Sequence, residues 1–294
     1  MEIQTLANSS RSVYLVECPR DAMQGWKPYI PVKKKIEYIN ALLEVGFDLL
    51  DFGSFVSAKT IPQMADTKDL VPGIVFGKSA TRLLAIVANA RGALEAAEFP
   101  QIACLGYPFS VSPTFQLRNT NSDMEESLKR VEQIQQICVR SGKELVIYIS
   151  MAFGNPYGDP YTAEIVYDWV SKLAGLGINT ISLADTVGLA TAGQVYSITD
   201  YLIRMLPDRR IGVHLHSRPE NWQEKVDAAL DAGCARFDGA LKGIGGCPMA
   251  DDELVGNLDS ELLIPYFEKR GLLGGIDTLA LENCKRLAGE IFGK

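Results

Sequence analysis

The chain has 294 residues, 47% of them hydrophobic, and a formal net charge of −7. That composition supplies a sizeable globular core, and the acidic balance argues against a partner held through its phosphate backbone, so no nucleic acid is expected. No run approaches the ~18 apolar residues of a membrane span, the opening residues carry neither a signal nor a transit pattern, and six scattered cysteines read as reduced thiols; the expectation is a cytoplasmic protein without a membrane partner.

In chain order, short β-type runs alternate with helical stretches. VYLVE (13–17) is the first strand, and Asp21 follows it. Residues 32–45 place Ile36, Ile39, Leu42 and Leu43 on one helical face before the strand DLLDFG (48–53), which carries Asp51 near its end. LLAIVA (83–88) and IACLGY (102–107) come next, then a helix over 123–140 that opens after Ser122 with the acidic first turn Asp123, Glu125 and Glu126. ELVIYISM (144–151), a helix over 161–176, and NTISLAD (179–185), closing on Asp185, continue the pattern. A helix over 191–206 stops before Pro207, IGVHLH (211–216) follows, and a helix over 220–232 ends near Gly233. ARFDGAL (235–241) is the last strand, with helical segments at 251–270 and 276–292 beyond it.

The strands are short and almost continuously apolar, as parallel strands buried on both faces are. They recur at roughly the thirty-residue length of one βα unit. The pattern predicts an α/β fold, a single (β/α)8 (TIM) barrel over residues 1–294 with the C-terminal helices flanking it. The first strand is not followed by a GxGxxG turn, which speaks against a dinucleotide-binding sheet.

Polar residues gather at the C-terminal ends of these strands, the rim where barrel enzymes assemble their sites. His214 and His216 are the only histidines and stand two apart on a strand, so both rings face the same side. A metal site is favoured over a pair of core histidines satisfied by backbone. Asp21 is the candidate oxygen ligand, with capping of the turn as its plainer role; Asn257 is a second, about equally readable as a polar loop residue. A mixed nitrogen and oxygen set with open positions suits a divalent ion such as Mg²⁺ or Mn²⁺ rather than a closed zinc site. GIGGCPMA (243–250) sets Cys247 among glycines, where a thiol could donate or accept a proton, although an ordinary tight turn would use the same residues. Arg20, beside Asp21, could grip a carbonyl or carboxylate oxygen.

ECPRDAMQ (17–24), DFGSFVSAKTIPQM (51–64), SLADTVG (182–188), HLH (214–216), GIGGCP (243–248) and GNL (256–258) together resemble the 3-hydroxy-3-methylglutaryl-CoA lyases, part of a wider group of metal-dependent barrel lyases and synthases. The resemblance runs in order from about residue 13 to the end. It implies retro-Claisen cleavage of (S)-3-hydroxy-3-methylglutaryl-CoA to acetyl-CoA and acetoacetate, with a divalent metal on Asp21, His214, His216 and Asn257. It further implies enolate stabilisation by Arg20 and a catalytic Cys247. Asp51 stands where the family has glutamate, and Asp185 matches an SLGDT-like motif; either could be the base, with Asp185 preferred. Gln24 and Ser54 would line the same region, and Lys59 and Arg118, the latter in FQLRNTN (115–121), would meet the CoA moiety. An acyl-CoA substrate and a homodimer follow from the same likeness.

The chain also departs from the family pattern. Cys18-Pro19 precedes Arg20, Ala22 stands in place of glycine, and Ser217-Arg218-Pro219 follows His216 where the family has a carboxylate. Another hydroxyacyl-CoA lyase, a 4-hydroxy-2-oxo-acid aldolase and an inactive metal-binding barrel are the competing readings.

Overall fold

The computed structural model describes residues 12–246 and 255–293. Among them, strands β1 (Tyr14–Glu17), β2 (Leu49–Ser54), β3 (Arg82–Ile86), β4 (Ile102–Ser110), β5 (Glu144–Ser150), β6 (Thr180–Asp185), β7 (Arg210–Leu215) and β8 (Arg236–Gly239) lie parallel and close in sequence order. β1 completes the ring by pairing with both β2 and β8. The fold is the expected TIM barrel.

The strand cores are buried on both faces, completely so in β2 and β6, which is why their sequences lack the alternation of a half-exposed sheet. Strand ends fall up to three residues from the expectation, furthest at β4, which runs on to Ser110. β2 continues to Ser54 and its register against β3 slips between Asp51 and Gly53, so Asp51 sits inside the strand rather than at its end.

The helices are α1 (Pro19–Gln24), α2 (Val32–Val45), α3 (Thr67–Leu70), α4 (Ala90–Ala97), α5 (Pro113–Thr120), α6 (Met124–Ser141), α7 (Ala163–Gly175), α8 (Ala192–Met205), α9 (Trp222–Asp231), α10 (Ser260–Lys269) and α11 (Thr278–Phe292). The long ones coincide with the periodic stretches. α1, α3, α4 and α5 run for only 6, 4, 8 and 8 residues, too short for a 3.6-residue period to stand out.

Side-chain caps fix most starts. Asp123, read from sequence as part of the first turn of α6, is its cap, because its carboxylate accepts the Glu126 amide at 2.7 Å. Thr191 and Gln194 form a reciprocal capping box on α8. The segment expected to be helical over 251–270 begins its described helix at Ser260, capped by Asp259; residues 251–254 lie outside the described residues. α11 folds back along α2, where the Phe292 ring meets Tyr38 edge-on at 6.4 Å. Among the described residues no helix is long and apolar enough to cross a membrane, and the five described cysteines are buried and unbridged.

Candidate active site

Strand register brings the two histidines to their partners. His214 lies opposite Asp238 in the β7–β8 ladder, and His216 pairs across an isolated bridge with Asn257. Both imidazoles face the barrel mouth, with their Nε2 atoms 3.3 Å apart. Asp21 reaches the same point from α1, so that one ligand atom each from Asp21, His214 and His216 falls within a 4.8 Å cluster. Asn257 Nδ2 donates to Asp21 Oδ2 at 2.7 Å and to the Ile244 carbonyl at 2.9 Å, which leaves Asn257 Oδ1 buried without a hydrogen-bond partner among the described residues. An orphaned buried carbonyl oxygen is costly unless something binds it. Together with two converging imidazole nitrogens and a carboxylate it fits a divalent cation.

Gly245 makes this packing possible. A Cβ there would come 2.0 Å from Asn257 Nδ2 and 2.6 Å from Asp21 Oδ2, so the glycine-rich loop approaches the candidate ligands themselves. Arg20, one position before Asp21, turns into a web of acceptors. Its Nε reaches both oxygens of Asp51 at 3.1 and 3.0 Å, its Nη2 also donates to Asp51, and its Nη1 donates to Asp21 at 3.1 Å and Gln24 at 2.7 Å. Gln24 closes the loop by donating to Asp21 at 3.0 Å; its i+3 and i+4 spacing from Asp21 and Arg20 on α1 makes that reach possible.

The electrostatics differ among the three candidate ligands. Burial opposes charge on Asp21, but the Arg20 guanidinium and the two imidazoles outweigh it and hold the carboxyl below its ordinary value. Burial and the neighbouring His214 push His216 down to about 4, so this ring stays neutral and able to bind a metal. For His214, burial is overcome by the hydrogen bond and charge of Asp238, and the ring rises above its ordinary value. Arg20 lies against Asp21 and Asp51, and Arg236 against Asp238. A second cluster, Cys18, His214 and Asp238, is a poorer metal set. Burial drives the Cys18 thiol well up, and Asp238 is already paired with Arg236.

The site opens into a cavity of about 140 Å³ lined by Arg20, Asp21, Gln24, His214 and His216 on one side. Val56, Ile61, Ile86, Pro108, Phe115 and Tyr148 form most of the apolar wall. Asp51 and Asp185 do not line it. Asp51 is taken up by Arg20, and Asp185 by Lys225, whose buried Nζ donates to it at 2.8 Å and to the His216 carbonyl at 2.9 Å. Ser54 sits below the rim, its hydroxyl accepting the Val56 amide at 3.2 Å. Lys59 is exposed between Val56 and Thr60, which both line the cavity. Arg118 is exposed on α5 and stacks over Tyr157 at 4.7 Å. Cys247 lies outside the described residues.

Sequence reading passed over Asp238, Arg236 and Lys225. A carboxylate does stand beside His214, where Asp238 lies 3.3 Å from Nδ1. Its signal was the charged pair two apart in an otherwise apolar strand, RFDG (236–239). Lys225 left no such signal, since a lysine on an amphipathic helix ordinarily faces water.

Comparison with known proteins gives a consistent picture. The family model described as HMGL-like matches residues 13–287. The cytoplasmic 3-hydroxy-3-methylglutaryl-CoA lyase of Rattus norvegicus is 32% identical over 283 residues, covering 94% of this chain and 80% of the rat protein. A 3-hydroxy-3-isohexenylglutaryl-CoA/hydroxy-methylglutaryl-CoA lyase of Pseudomonas aeruginosa is 31% identical over 290 residues, 98% of this chain and 95% of that one. The crystal structure of a Bacillus subtilis HMG-CoA lyase aligns with a TM-score of 0.90 at 29% identity, covering 97% of this chain and 95% of that one.

Proposed function

The chain belongs to the HMGL-like family, and on that footing we propose that it is a 3-hydroxy-3-methylglutaryl-CoA lyase, a carbon–carbon lyase that releases acetyl-CoA and acetoacetate. The observation that carries this reading is the convergence of Asp21, His214 and His216 beside the cavity-facing Arg20. Asp21, His214, His216 and Asn257 would hold Mg²⁺ or Mn²⁺, hard ions that accept a mixed nitrogen and oxygen set. When bound, such an ion supplies Lewis-acid polarisation of the substrate's oxygens and lowers the pKa of its C3 hydroxyl.

In the reaction the C3 hydroxyl loses its proton and the C2–C3 bond breaks. The bonding pair passes into the thioester as an enolate, whose carbon then takes a proton. Arg20 stabilises the enolate oxygen, and removing a donor of this kind typically costs ~10²–10³ in kcat. Asp51 holds the guanidinium plane and Gln24 locks it to Asp21, so both are positioning residues. Cys247, next to Gly246 in the sequence, is assigned as the acid for the enolate carbon. Asp185 acts through Lys225 on the His216 strand end, and no base is assigned among the described residues. The apolar wall excludes water from the enolate and accepts the C3 methyl group. Lys59 and Arg118 belong to segments whose neighbours line the cavity and are assigned to the CoA phosphates, with Ser54 holding the first of those segments.

The test is direct. Metal-stripped protein is given 3-hydroxy-3-methylglutaryl-CoA, Mn²⁺ or Mg²⁺ is restored, and acetoacetate is quantified beside His214→Ala and Cys247→Ala. Metal-dependent product that falls at least ~10²-fold in both variants is expected. Absence of product despite metal binding would sink the substrate assignment. A longer C3 alkyl group is a second reading, favoured by the apolar wall, and the 3-isohexenyl thioester run in competition decides it. The reading includes a cytoplasmic homodimer; the rat relative's name supports the compartment, and sedimentation velocity reads the dimer.

A further inference from the structure

Beneath the histidines lies a second set of buried groups that the lyase reading leaves without a part. Arg236 and Asp238, each 1% exposed, project from alternate positions of β8 into the barrel. Arg236 Nη1 donates to Asp238 Oδ1 at 2.8 Å, and the other carboxylate oxygen lies 3.3 Å from His214 Nδ1. Arg236 Nη2 donates to the Tyr148 hydroxyl at 3.4 Å, and the Tyr148 ring meets His214 nearly perpendicular, with centroids 5.8 Å apart. The fold makes room for the guanidinium stem: a Cβ at Gly212 would come within 3.0 Å of Arg236 Cβ, Cγ and Cδ. An arginine inside a barrel core is costly unless a partner uses it, so its placement calls for a role.

A carboxylate only accepts hydrogen bonds. Asp238 therefore requires the hydrogen of His214 on Nδ1, which leaves the Nε2 lone pair on the side of His216 and Asp21. Arg236 fixes one oxygen of Asp238 so that the other meets the ring, and Tyr148 walls the ring's flank.

We propose that Arg236 is a positioning residue for the metal centre: through Asp238 it sets the tautomer and plane of His214, so that Nε2 is aimed at the ion before the ion arrives. This rests on the metal reading above. Carboxylate partners of metal-bound histidines commonly carry 10–100-fold of metal affinity; here the carboxylate is itself held by a cation from the same strand.

The chain's two histidines make the test clean. In ¹⁵N-histidine-labelled, metal-free protein, at a pH high enough for both rings to be neutral, NMR is expected to report the Nδ1–H tautomer for His214. Asp238→Asn and Arg236→Met should give mixed or Nε2–H tautomers, whereas Arg236→Lys and Tyr148→Phe retain Nδ1–H. Mn²⁺ affinity, read by electron paramagnetic resonance, should fall ~10–100-fold in Asp238→Asn and Arg236→Met and by less in Arg236→Lys. If Arg236→Met does not fold, Asp238→Asn and Arg236→Lys still decide the matter. An Nε2–H His214 in the wild type, or unchanged Mn²⁺ affinity in Asp238→Asn, would overturn the proposal. A wild type that keeps the Nδ1–H tautomer yet binds no Mn²⁺ would sink the metal reading while leaving the orientation of His214 by Arg236 and Asp238 standing.

Discussion

Arg20, Asp51 and Gln24 form a fixed frame around Asp21, and single buried residues elsewhere are held by similarly few bonds. Glu17, fully buried at the end of β1, has no cation beside it among the described residues. It accepts hydrogen bonds from the Leu241 amide at 2.8 Å and from the Ser260 hydroxyl, yet burial outweighs both and pushes its carboxyl up to about 8. The sign follows from proton counting. Below the ordinary carboxyl value of 4.5 both states hold the proton, between that value and about 8 only the folded state does, and above it neither does. Glu17 therefore favours the fold at acid pH and withdraws that support as the pH rises towards 8, by at most ~1.4 kcal/mol per pH unit. Urea unfolding at intervals from pH 5 to 8 should show this decline in the wild type and a flatter profile in Glu17→Gln. Equal slopes would remove Glu17 as its origin.

At the scale of elements, α9 does more than cover the barrel. Its Lys225, with no exposed surface, crosses to the ends of β6 and β7 and ties Asp185 to the His216 carbonyl. Removing one member of a buried ion pair leaves the other charged and unpaired, at a cost of ~3–5 kcal/mol. Lys225→Met should lose stability on that scale in denaturant titration, and adding Asp185→Leu should recover much of it, because both charges are then gone. A double variant as unstable as the sum of its parts would mean that the pair is not the origin of the loss.

Across the whole molecule, the candidate ligands bridge the seam where the barrel closes. Asp21 follows β1, His214 and His216 come from β7 and its end, and Asn257 follows β8. An ion on all four binds the folded chain and has no comparable site in the unfolded one, so it adds stability by mass action, ~2.7 kcal/mol when present at a hundred times its Kd. Melting of chelator-treated protein should rise when Mn²⁺ is restored, and His214→Ala should erase the rise. An equal rise in that variant would place the ion elsewhere.

Eight apolar runs at regular spacing were enough to specify the barrel, because parallel strands buried on both faces leave a pattern that depends on local sequence alone. The candidate ligand set was legible for a related reason: strand ends of a barrel share one rim, so Asp21, His214 and His216 could be brought together by topology without coordinates. Only the tertiary structure decided what stands behind them. Whether Asp51 and Asp185 open into the cavity or turn to cations depends on where Arg20 and Lys225 reach. Whether a carboxylate supports His214 depends on the β7–β8 register, which sets Asp238 opposite a residue twenty-four positions away. Charge pairing across strands is settled by register and burial, and neither is written in any one segment of the chain.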